Sequence, residues 1–65
     1  MLTLKIIESD KRESLFPLSN EVVYSPELRT IYYHDIHGNE LEEQLYDGDV
    51  AYVVNDKGVT ISRFG

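Results

Sequence analysis

Cysteine is absent from this 65-residue chain, which excludes both a disulfide framework and a Cys-based zinc site. Long apolar runs are also lacking. No segment approaches the ~18 residues a membrane-spanning helix needs, and no charged-then-apolar leader resembles a signal peptide. Proline occurs only twice, at Pro17 and Pro26. Cations are the scarce charge: six Lys and Arg stand against twelve Asp and Glu, a formal net charge of −6. What is present is ordinary. Hydrophobic residues at 42% and charged residues at 28% match a globular domain and not a disordered chain. Residues 1–65 are read as a single domain, and a cytoplasmic location is expected.

So short a domain buries only about 60% of the surface its unfolded chain exposes. With neither disulfides nor a structural metal, association with a second subunit is the commonest remaining support, so a homodimer is expected. A water-excluding cleft of ~300 Å³ or more is hard to enclose at this size. An enzyme is therefore not expected, and no cofactor is called for.

Along the chain, Leu2, Leu4 and Ile6 recur with period two and read as a half-buried strand. In Ser9 to Asn20, Pro17 removes an amide donor and pushes Phe16 into an extended conformation, so the segment reads as a loop folding back onto the core. Glu21 to Tyr24 is a short β-branched run, and Arg29 to Ile36 is rich in strand formers. Gly38 then stands where a hairpin needs positive φ. Glu40 to Leu45 supports two readings. As a strand it sends Glu40, Glu42 and Gln44 to one face, with Leu41 and Leu45 on the other. As a helix it has Asn39 as N-cap and Gly48 near the C-cap. The preceding hairpin signal tips the reading to strand. Val50 to Val54, the turn Asn55-Asp56-Lys57-Gly58 and the alternating Val59 to Phe64 form the firmest hairpin of all. The fold expected is mainly β, a small antiparallel sheet or open barrel of five to six short strands, with room for one short helical turn.

Between Arg29 and Lys57 there is no lysine or arginine, yet the interval holds Asp35, Glu40, Glu42, Glu43, Asp47, Asp49 and Asp56. Such a block concentrates negative potential, repels nucleic acid and anionic membrane, and attracts a basic partner. Alternate strand residues lie ~6.7 Å apart, so Glu40 and Glu42 would stand at about the separation of neighbouring phosphates, with Asp47 and Asp49 extending the row. A groove that binds DNA by neutralising phosphates could bind such a row instead. The plain alternative is a solvated surface that keeps the domain soluble.

Other constellations point less far. His34 and His37 flank Asp35, but residues three apart on a strand face opposite ways, so they read as turn-edge histidines and not as a zinc pair. Asp47-Gly48-Asp49 lacks the remaining ligands of a calcium loop. No serine has a nucleophile-elbow context. Gly38, Gly48 and Gly58 are turn glycines. Of the five tyrosines, most are read as packing, with Tyr32, Tyr33 or Tyr46 available to anchor a protein interface.

The segments IYYHDIHGNEL and AYVVNDKGVTISRF, in a compact, cysteine-free, acidic chain, resemble the small early proteins that bacteriophages make to disable host machinery. In size and charge the chain is similar to phage DNA mimics, among them inhibitors of the nucleoid protein HU. The resemblance implies a host-takeover protein that inhibits a basic host DNA-binding protein such as HU, without binding nucleic acid or membrane itself. The residues expected to carry binding are Asp35, Glu40, Glu42, Glu43, Tyr46, Asp47 and Asp49. The alternative is a small inhibitor or interaction module that binds another host protein, for example RNA polymerase, through a sheet edge or a tyrosine patch.

Overall fold

In a computed structural model describing all of residues 1–65, the chain forms seven strands and no helix. They are β1 (Leu2–Ile7), β2 (Glu13–Leu18), β3 (Val23–Ser25), β4 (Thr30–His34), β5 (Glu40–Gln44), β6 (Val50–Val54) and β7 (Thr60–Phe64). The mainly β, antiparallel reading holds, and the strands divide into two sheets, β2-β1-β6-β7 and β3-β4-β5. The strand count exceeds the five or six expected because β2 lies where the sequence pattern predicts a loop. Pro17 does forbid a helix, but β2 is paired only through β1, and an edge strand tolerates a missing donor on its open side. The segment that sequence left open between strand and helix is β5. Pairing with β4 sets Leu41 opposite Tyr33 and Glu43 opposite Ile31, and Leu45 just beyond is 1% exposed. Cross-strand pairing outweighs the helix propensity of the Glu-rich stretch.

The pleat then sorts the side chains. In the four-stranded sheet Leu4 is opposite both Phe16 and Val53, and Ile6 is opposite Ala51, so these residues share the inner face. In the three-stranded sheet Tyr24 and Ile31 are paired on the inner side. One core of Leu4, Ile6, Leu18, Ile31, Tyr33, Leu45, Ala51 and Val53 joins the two sheets face to face. Aromatic contacts span the layer at both sides: Phe16 lies 5.8 Å from Tyr33 and Tyr24 lies 4.9 Å from Phe64, ring centre to ring centre.

Three hairpins share one turn geometry. The amide of the fourth residue donates to the carbonyl of the first, in Lys11 to Glu8, Gly38 to Asp35 and Gly58 to Asn55. The first residue in turn donates to the fifth, from Glu8 to Arg12, Asp35 to Asn39 and Asn55 to Val59. The fourth position is left-handed in each, with φ of 76° at Lys11, 81° at Gly38 and 78° at Gly58. In two of them the first side chain also caps the turn. Asp35 Oδ1 accepts from the amides of His37 and Asn39, and Asn55 Oδ1 from those of Lys57 and Val59.

Candidate functional site

The acidic interval does not form one continuous row. Asp35 sits in the β4–β5 turn at one end of the three-stranded sheet. Its Oδ2 accepts from the Asn39 side-chain amide at 3.0 Å and its Oδ1 from two backbone amides at 2.8 and 3.0 Å. The Asn39 amide first, then the backbone donors, hold its carboxyl below the usual carboxylate range. Its lone pairs are engaged in building the turn. Asp47 and Asp49 lie at the other end of the molecule. Arg29 pairs with Asp47 at 2.7 Å and donates to the Tyr46 carbonyl at 3.2 Å.

Asp49 is 8% exposed, so it is not available to a partner, contrary to the sequence reading. Its two oxygens accept from Ser9 N at 3.2 Å and Tyr46 N at 2.9 Å. In that position it ties the β5–β6 connection to the β1–β2 turn. Gly48 makes the approach close: a Cβ there would lie 2.7 Å from Ser9 Cβ. Tyr46 keeps an exposed ring at this end, away from the strand glutamates.

Glu43 is set apart in a third way. It lies opposite Ile31, on the inner side of β5, and accepts from the Tyr33 hydroxyl at 3.5 Å. Burial, followed by the charge of Glu43, pushes the Tyr33 phenol up. Tyr33 is itself 3% exposed, which removes it from the candidate interface tyrosines.

Glu40 and Glu42 are brought together with residues that spacing alone does not reveal. The registers Tyr32–Glu42, His34–Glu40 and Val23–Tyr32 place all five on the outer face of the three-stranded sheet. There they line an open concavity of about 710 Å³, with Asn20 and Glu21 on its rim. Tyr32 occupies the middle strand and Val23 stands exposed beside it. The only basic side chain in the lining is His34, whose Nε2 is 3.5 Å from Glu40 Oε1, an ion pair when the imidazole is protonated. Glu21 and Glu42 enter none of the chain's ion pairs. The face thus offers an aromatic ring bordered by three carboxylates, an arrangement that attracts ammonium and guanidinium groups by charge and by the ring's quadrupole.

Sequence reasoning reached Glu40 and Glu42 through their alternation and Tyr32 as one of three candidate interface tyrosines, and it passed over Glu21 and Val23. The signal for Tyr32 was there. Tyr32 and Tyr33 are adjacent in a strand, so one of them must face outward. No known protein family matches this chain, and no curated protein or solved structure matches it significantly.

Proposed function

We propose that this chain is a non-enzymatic binding protein whose outer β3-β4-β5 face occupies the DNA-binding surface of a basic protein. The observation that carries the reading is the Tyr32 concavity rimmed by Glu21, Glu40 and Glu42, with no lysine or arginine in its lining. Glu40 and Glu42, two positions apart on one strand, stand ~6.7 Å apart along β5. They imitate two consecutive phosphates, a shorter row than the sequence suggested, and Tyr32 adds a surface on which an arginine can stack. A bacteriophage origin and the nucleoid protein HU as target are the narrower form of this reading; they rest on the resemblance in size and charge.

The test is competition between this protein and labelled DNA for purified HU across a salt series. Displacement should weaken as salt rises. The double variant Glu40→Lys with Glu42→Lys should lose at least about tenfold in affinity, roughly 1.4 kcal/mol. Asp10→Lys with Asp47→Lys, which makes the same change of charge at the far end, should change little. Equal losses in both variants would mean that net charge and not this face carries binding.

A second reading has its own observation. β5 is paired only with β4, so one edge of the acidic strand is free to accept a partner strand. Under that reading Gln44→Pro, which removes an amide on the open edge of β5, abolishes capture while the charge reversal leaves it intact.

A further inference from the structure

Strand β6 lacks the alternation of a strand with one wet face, whereas β1 alternates through Thr3 and Lys5 before it ends apolar. Val50 to Val54 contains no polar side chain beyond the Tyr52 hydroxyl, and β1 ends on Ile6-Ile7. A continuous apolar run such as that of β6 is the pattern of a strand covered on both sides. The inner side is covered by the three-stranded sheet. On the outer side, register places Lys5 against Tyr52 and Thr3 against Val54, while Ile7 against Val50 completes an apolar set of Ile7, Val50, Tyr52 and Val54. These four are only half-buried, and every remaining strand of the chain lies in this sheet or on its other face. The core is also thin, since ten of 65 residues are buried.

We propose that a second copy of this chain covers the outer face of the four-stranded sheet, sheet on sheet, in a two-fold dimer. Charge on the two edges supports self-association. Glu13 lies on edge strand β2, opposite Ile7 on the outer face, and Arg63 on edge strand β7, opposite Tyr52. A two-fold axis parallel to the strands, between β1 and β6, sets β2 of one copy over β7 of the other. Glu13 and Arg63 then stand one pleat apart, ~6.7 Å along the strands, within reach of an arginine side chain. The pair forms twice, on either side of a centre made of Ile7, Val50, Tyr52 and Val54 with Lys5 among them. Arg63 enters none of the ion pairs within the chain, whereas Glu13 already accepts from Lys5 at 3.0 Å and has a second oxygen to offer. Stacking of two twisted sheets at ~10 Å is the ordinary way for such faces to close.

Sedimentation equilibrium of the full chain, from about 1 μM to about 1 mM, tests this. The wild type should dimerise. Arg63→Glu should weaken the dimer at least about tenfold, and Val54→Asp should do the same, with circular dichroism reporting a retained β fold in each. Arg63→Glu combined with Glu13→Arg should restore association. Glu40→Lys with Glu42→Lys should leave the dimer constant unchanged, which separates this interface from the acidic face. A wild type that stays monomeric throughout overturns the proposal. So does a dimer indifferent to both single variants, or a charge swap that fails to rescue.

Discussion

At the scale of single residues, the carboxylates that are hidden or engaged contribute more to the fold than those on display. Asp49 satisfies two backbone amides from different turns. Asp49→Ala would leave both without their partner, at about 1–3 kcal/mol for each of these part-buried, charge-assisted bonds. Thermal melts should show a large loss for Asp49→Ala and a smaller one for Asp49→Asn, which keeps one acceptor oxygen. Lys11 is a contrasting case. It adopts φ of 76° where the two sister turns have glycine, and a left-handed non-glycine residue costs roughly 1–2 kcal/mol. Lys11→Gly should therefore raise the urea midpoint, a net gain of about 1 kcal/mol after the entropy of the added glycine.

Asp35 gives the acid dependence its sign. Its carboxyl is lowered from an ordinary value of 3.8 by the Asn39 and backbone donors. Its contribution to stability is thus fully present above that value and is lost as pH falls through the lowered one. Asn55 makes the equivalent turn with an amide that does not titrate. Asp35→Asn should keep the turn, and its urea midpoint should fall less steeply below about pH 4 than that of the wild type.

At the scale of elements, burial along a strand decides what a substitution costs. Leu4 on β1 is fully buried and Leu15 on β2 is 64% exposed. Leu4→Ala should cost about 3 kcal/mol, against within about 0.5 kcal/mol for Leu15→Ala, both read from denaturant titrations of the monomer at low protein concentration. The same contrast explains which elements were legible. β6, β7 and the Asn55–Gly58 turn carry period, composition and turn chemistry that agree. In β2, Pro17 dominated the local signal, and only knowledge that this strand lies at an edge shows why proline is tolerated. The candidate site was half legible for a related reason. Alternation within β5 groups Glu40 with Glu42, but placing Tyr32 beside Glu42 requires the register between β4 and β5, and no local pattern states a register. Likewise nothing around Asp49 marks it as buried, because its partner Ser9 is 40 positions away.

For the whole molecule, typical stabilities of ~0.05–0.15 kcal/mol per residue give roughly 3–10 kcal/mol for a chain of this length. A single core truncation such as Leu4→Ala therefore removes a substantial part of the total. If the second copy covers the four-stranded sheet, unfolding is linked to dissociation. The melting temperature should then rise with protein concentration in calorimetry, a dependence that Arg63→Glu should flatten.

The order of the strands also sets the order of assembly. β3, β4 and β5 are consecutive in the chain and neighbours in one sheet, while the other sheet joins β1 and β2 to β6 and β7. Its central ladder pairs Thr3 with Val54, a separation of 54 − 3 = 51 positions, so closing that loop costs about 3.5 kcal/mol of chain entropy. The acidic meander can form as a local unit. The two outer hairpins must find each other across it, which places the pairing of β1 with β6 late in folding and makes it the slow step.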